Sequence, residues 1–154
     1  MSDSVVSIEP ESPASAVSRQ VIAELEAELS PHYPPNSQHG YSVEKLIAAQ
    51  VDFFIVWNDA QPAGCGGIQL FGSEYGELKR MYIRPPFRGL GLARLLVEHL
   101  ADHARSRGVT VLRLETGIHQ AEAIRLYEGM GFTPVAPFGE YRPDPLSVFY
   151  DRSL

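Results

Sequence analysis

The run Glu77-Leu-Lys-Arg-Met-Tyr-Ile-Arg-Pro-Pro-Phe-Arg-Gly-Leu-Gly-Leu-Ala-Arg-Leu-Leu96 constrains the fold more than any other stretch of the chain. Residues 77 to 83 are strand formers, Pro85 and Pro86 stop the strand, and from Leu92 the apolar residues Leu92, Leu95, Leu96, Leu100 and Ala104 recur at helical spacing. Strand, loop and helix therefore follow one another directly. The loop, Arg88-Gly-Leu-Gly-Leu-Ala93, is built from small residues that let a ligand approach the backbone. The first helical turn leaves N–H groups unpaired, and the helix dipole adds positive potential. An anion should sit there, held by several N–H groups together with Arg88, because the dipole alone contributes only about 0.3–1 kcal/mol.

Two common phosphate loops are excluded by missing parts. A P-loop needs Gly-Lys-Ser/Thr where this chain has Ala93-Arg94-Leu95, and a dinucleotide loop needs a third small residue where Arg94 stands. The charge pattern still favours a polyanion. The net charge is −6, yet residues 1 to 60 carry nine acids and two bases while residues 61 to 154 carry ten and eleven. No acid occurs from Leu78 to Val97, where Lys79, Arg80, Arg84, Arg88 and Arg94 all lie. The acidic first third would suit a cationic acceptor or form a solvated face. A nucleic-acid footprint needs a net basic surface, which this chain lacks.

The loop resembles motif A of the GNAT superfamily of N-acetyltransferases, Arg/Gln-x-x-Gly-x-Gly/Ala, matched by Arg88, Gly91 and Ala93. A second feature lies downstream. Ala123-Ile-Arg-Leu-Tyr-Glu-Gly-Met-Gly-Phe132 is similar to the family's Ala-x-x-Leu-Tyr-x-x-x-Gly-Phe. The resemblance covers residues 50 to 154 firmly and the N-terminal third only by order of elements. It implies a mixed, mostly antiparallel twisted sheet with helices on both faces and a central β-α-β cofactor unit. It also implies acetyl-CoA as co-substrate, with no metal. Dimers are frequent in the family, and the C-terminal strand could pair across an interface.

One domain spanning residues 1 to 154 fits the length, and about 70% of the extended chain's surface is buried at this size. Met1-Ser-Asp-Ser-Val-Val lacks the basic and apolar regions of a leader, and no apolar run approaches the roughly 20 residues that span a bilayer. A cytoplasmic protein without a membrane partner is expected. The single cysteine, Cys65, permits neither an internal disulfide nor a cysteine zinc site and reads as a buried structural thiol.

Along the chain, a short strand over Val5–Ile8 precedes a helix from Ser12-Pro13 to about Ser30, and Tyr41–Gln50 forms a second helix. Residues 52–57 and 63–71 form a hairpin. The strand 77–84 and the helix to about Arg107 lead through Gly108 into a parallel strand over 109–115, a right-handed crossover. A helix over 120–130 capped by Gly131 and an antiparallel pair over 132–136 and 146–150 complete the sheet.

In the family the pantetheine arm pairs with the strand before the loop, which implies the backbone of Met81, Tyr82 and Ile83 here. An N–H near Met81 is implied as donor to the acetyl carbonyl. The pyrophosphate falls to Arg88, Gly89, Leu90, Gly91, Leu92, Ala93 and Arg94. Tyr127 matches the family's acid, which protonates the leaving thiolate, and also lies against the cofactor; it shares a helix face with Ala123 and Met130, as a core aromatic would. Glu77 stands where several members carry a glutamate base, and is equally an edge carboxylate paired with Lys79 or Arg113. A lysine-like amine near pKa 10.4 costs about 4–5 kcal/mol to deprotonate at neutral pH, an α-amine only about 1. Gln120 replaces the asparagine by which many members hold the cofactor arm.

His99 and His103 lie four apart on a helix but lack a third ligand, so they read as ordinary helix residues. Glu115 and His119 end the parallel strand, where an acceptor could enter. Tyr33, His39, Tyr41, Phe138 and Tyr141 lie in loops bordering the acceptor cleft in this fold. The function that follows is acetyl transfer to a primary amine of a small molecule, by direct attack in a ternary complex. A peptide acceptor would need an open groove in place of a cleft closed by residues 30–42 and 137–145. A non-catalytic acyl-CoA-binding module is the rival from another class.

Overall fold

The computed structural model describes residues 4–154. In chain order its elements are β1 (Val6–Pro10), α1 (Ala16–Leu29), α2 (Val43–Ala48), β2 (Asp52–Asn58), β3 (Gln61–Phe71), β4 (Tyr75–Ile83), α3 (Leu92–Ser106), β5 (Val111–Gly117), α4 (Ala121–Gly129), β6 (Thr133–Val135) and β7 (Ser147–Ser153). Short 3-10 turns lie at Ser30–His32, Pro35–Ser37 and Pro85–Phe87. Ser12-Pro13 does not start α1. Ser15 does, its Oγ accepting from the N–H of Ser18 at 3.2 Å. Gly131, at φ 91°, follows the end of α4 as expected.

The seven strands form one sheet in the order β1-β2-β3-β4-β5-β7-β6. Every neighbouring pair is antiparallel except β4 and β5. Period-2 alternation in β2 supplies both faces. Phe54 and Val56 enter a core with Leu96, Leu100 and Tyr127 on the α3–α4 side, while Phe53 and Ile55 join Val21, Ile22 and Leu46 on the α1–α2 side. The expected sheet with helices on both faces is thus the one that forms.

β4 and β5 pair only at Gly76↔Leu112 and Glu77↔Arg113. Past that point β4 stays on β3 and β5 stays on β7, so the two strands part. A bulge accompanies the parting. The β3–β4 register shifts between Cys65 and Gly67, and opposite it Arg80 takes φ 54°, the left-handed region that a branched or long side chain seldom enters. The residues from Lys79 to Ile83 therefore carry backbone groups toward β5 with no strand to receive them.

The C-terminal strand is less free than the sequence suggested. β7 has β5 on one side and β6 on the other along Phe149–Asp151. The sheet ends in β6, whose Pro134 cannot donate to a further ladder.

Candidate active site

A cavity of about 780 Å³ occupies the gap between β4 and β5 and extends from the α3 N-terminus to the segment between α1 and α2. At one end Gly91 precedes α3 in the left-handed conformation at φ 78°, with Gly89 likewise at φ 80°. A Cβ built on either glycine would meet nothing within 4 Å, so the two are required by conformation and leave open space above the loop. The N–H groups of Leu92, Ala93 and Arg94 belong to the first turn and point out of the helix end. Loop and helix end together fit a pyrophosphate.

Arg88 is more constrained than its motif implies. Its Nε donates to the carbonyl of Ile83 at 2.9 Å and its Nη2 to Glu28 of α1 at 2.7 Å, which pins the loop to both neighbours. Met81, Tyr82 and Ile83, Arg88, Gly89 and Gly91, Leu92 to Arg94, Gln120 and Tyr127 all line the cavity. Leu90 does not. Its side chain is exposed, on the outside of the turn.

Tyr127 reaches the cavity from α4, buried, with its ring edge-on to Phe132 at 5.5 Å. Burial, and after it the charge of Glu115, pushes the phenol well above its ordinary value. Gln120 precedes α4, and its Oε1 accepts from the hydroxyl of Tyr33.

Glu77 does not line the cavity. Its carboxylate lies beneath the cavity wall, 2.6 Å from Lys79 Nζ and 2.5 Å from the hydroxyl of Tyr141. Lys79 is saturated in turn, donating also to Tyr141 at 3.1 Å and standing 3.9 Å from the ring centre of Tyr41. The expected ion pair of Glu77 with Lys79 is present. Glu115, on β5, does line the cavity, as do Glu26, Glu28 and Glu122. Glu115 accepts from Ser147 Oγ at 2.7 Å, and its pKa is raised by burial, with Ser147, His39 and Lys79 opposing the shift.

The acceptor end is roofed. Tyr33, from the segment after α1, receives the N–H of His119 on its hydroxyl at 3.0 Å, and a Cβ on Gly117 would collide with its ring. His39 Nε2 meets Asp144 Oδ2 at 2.9 Å, joining the same segment to the β6–β7 loop. Asp144, Lys79 and Arg80 are the site residues that sequence reasoning missed. For Asp144 the signal was Pro143-Asp144-Pro145, since its Oδ1 accepts from the Leu146 N–H at 2.9 Å, a local turn readable from composition.

The other candidates are structural. Cys65 is buried, and its Sγ lies 3.3 Å from the carbonyl of Arg80. His103 pairs with Asp52 at 2.8 Å and His99 packs edge-on to Phe54. No group of metal-ligating side chains occurs among the described residues, and no helix among them is long and apolar enough to cross a membrane.

Known proteins share the family pattern and the fold of this chain. The model of the acetyltransferase (GNAT) family matches residues 21–132. An "IAA acetyltransferase" of Azospirillum brasilense is 39% identical over 150 residues, covering 97% of this chain and 98% of its own. A Klebsiella pneumoniae structure assigned as an acyl-CoA N-acyltransferase superposes with a TM-score of 0.82 at 35% identity, covering 97% of each chain. A GNAT acetyltransferase from Elizabethkingia anophelis with acetyl-CoA bound shares the fold, with a TM-score of 0.73 at 12% identity over 97% of this chain and 98% of that one. With a family match over most of its length and a relative alike from end to end, the chain belongs to the GNAT family of acetyltransferases.

Proposed function

We propose that this enzyme moves the acetyl group of acetyl-CoA to the amine of a small molecule, by direct attack within a ternary complex. The observation that carries the small-molecule reading is the roof. The His39–Asp144 and Tyr33–His119 contacts tie the segment between α1 and α2 to the β6–β7 loop and to the end of β5, where a peptide acceptor would need an open groove. A homodimer belongs to the same reading and rests on the family resemblance.

Acetyl-CoA supplies an activated carbonyl on a thiol leaving group. The loop and the first turn of α3 hold its phosphates, and the unpaired backbone of β4 near Met81 holds its arm and polarises the carbonyl. Glu115 takes the proton that the amine must lose, through a water, as the amine nitrogen bonds to the carbonyl carbon. A carboxylate raised by burial is a stronger base than one in water. As the carbon–sulfur bond breaks, Tyr127 stabilises the departing sulfur with its hydroxyl. The phenol is protonated at neutral pH, and burial makes it hold that proton more tightly, so it donates a hydrogen bond to the sulfur while solvent completes the thiol. Glu77 acts at one remove, by fixing Lys79 and Tyr141.

Thiol release from acetyl-CoA against a panel of amines, amino acids and short peptides, with mass detection of products, tests the proposal. Acetylated small amines with inert peptides support it. Peptide products alone overturn the small-molecule reading.

A further inference from the structure

Arg80 is the residue of the acceptor wall that the fold goes furthest to accommodate. It sits at the β4 bulge in the left-handed conformation, at φ 54°. Gly40, whose φ is not positive, faces its guanidinium, and a Cβ built there would collide with Nη1 and Cζ. That glycine is required by space. The side chain lines the cavity while only 5% exposed. Nη2 donates to Glu26 at 2.8 Å, a carboxylate half out in solvent. Nε is buried with no partner among the described residues. A guanidinium buried with donors unmet is an expensive arrangement, and it is spread over three positions of the chain.

Across the gap stands the complementary charge. Glu115 lines the same cavity with only the Ser147 hydroxyl bonded to it. Arg80 and Glu115 lie on the two strands that part beyond Glu77↔Arg113. Lys79 is fully engaged by Glu77, Tyr141 and Tyr41. One anion and one cation with unmet bonds therefore flank the acceptor position on opposite strands.

We propose that the acceptor is an amine that also carries a carboxylate, an amino acid in the broad sense, with its amine held toward Glu115 and its carboxylate received by Arg80. The guanidinium offers Nη1 beside Gly40 as a charge-assisted donor to a carboxylate oxygen, while Nη2 stays on Glu26. This inference rests on the N-acetyltransfer reading above.

The test uses the full chain with acetyl-CoA and sets α-amino acids against their α-amides and decarboxylated amines, for the wild type and Arg80→Gln. For the wild type the acids should have KM values about 10- to 100-fold below those of their amides, the worth of one charge-assisted contact. Arg80→Gln should erase that difference, with a loss on the acids about 10- to 100-fold larger than any loss on the amides. Equal use of acids and amides by the wild type overturns the proposal, as does an equal loss on every acceptor in the variant. Should Arg80→Gln fail to fold by circular dichroism, Gly40→Ala keeps the arginine and displaces its guanidinium, and must show the same acid-selective loss. If nothing is acetylated, the transfer reading falls by itself. Calorimetric titration of the acids into coenzyme-A-loaded protein then decides the carboxylate site: binding selective for acids and lost in Arg80→Gln sustains it, and no such binding overturns it.

Discussion

His39 Nε2 lies 2.9 Å from Asp144 Oδ2, and this contact ties two loops 105 residues apart over the acceptor end of the cavity. Asp144→Ala should raise the acceptor KM by about three- to tenfold, the worth of a single hydrogen bond, and leave the acetyl-CoA KM unchanged. The latch should also outlast ordinary acidity. The Leu146 N–H first, and then His39, hold the Asp144 carboxyl below its ordinary 3.8. A carboxyl depressed in the folded state contributes stability that is complete above the unfolded value and is lost as pH falls through the folded one. Carboxyl-detected NMR titration should therefore show Asp144 ionised well into acid, and the shift should shrink in His39→Ala.

Tyr127→Phe should lower kcat by about a hundredfold while leaving coenzyme A affinity and thermal stability nearly intact. The reason is local. The ring packs on Phe132, which phenylalanine preserves, and the hydroxyl makes no hydrogen bond among those described. In the wild type the phenol, raised by burial and then by Glu115, should contribute no deprotonation limb to the pH–rate profile below pH 10. Steady-state thiol release across pH, beside calorimetric coenzyme A binding, measures both effects. Unchanged turnover would sink the assignment.

Cys65 should be silent to thiol reagents until the protein unfolds. Burial pushes its thiol up to about 12, with Glu24 adding to the shift and Arg80 opposing it. About one thiol in 10⁴ is then thiolate at mildly alkaline pH, and that one is sealed in the α1–α2 core. A disulfide reagent should count no thiol in native protein and one in denaturant, with labelling that tracks global unfolding. Fast labelling of native protein would mean that β3 opens locally.

The parts legible in the sequence are those that one local pattern decides. The strand, glycine loop and helix from Glu77 to Leu96 appear nearly where expected, because proline stops and helical periodicity mark both boundaries. Gly131 marks the end of α4 for the same kind of reason. Arg80 was hidden, since a left-handed φ at a non-glycine residue has no signature in composition. Glu77 and Glu115 could not be ranked by alternation alone. Which of them faces the cavity depends on where β4 leaves β5, and that is settled by pairing across 36 residues of chain. The His39–Asp144 contact is a tertiary event of the same kind, although the turn that presents Asp144 is local.

Glu77 and Lys79 form a pair that is almost wholly buried, at 3% and 4% side-chain exposure. Glu77→Gln would leave the ammonium uncompensated beneath the cavity, and should cost about 3–5 kcal/mol in urea unfolding. The loss should depend on pH in a defined direction. Burial lowers the Lys79 pKa below 10.5, with Glu77 opposing, and removing Glu77 lowers it further. The unfolded chain then binds more protons than the folded one between the two values, so the variant should regain stability as pH rises toward 10.5. Adding Lys79→Met removes the stranded charge and should restore most of the loss at neutral pH, since an apolar replacement of a buried pair is often near neutral in stability. The double variant also separates structure from chemistry. If it folds and retains acetyl transfer with an unshifted pH profile, Glu77 serves the architecture of the wall; if it folds and turnover collapses at neutral pH but recovers in alkali, Glu77 is the base after all and Glu115 is not.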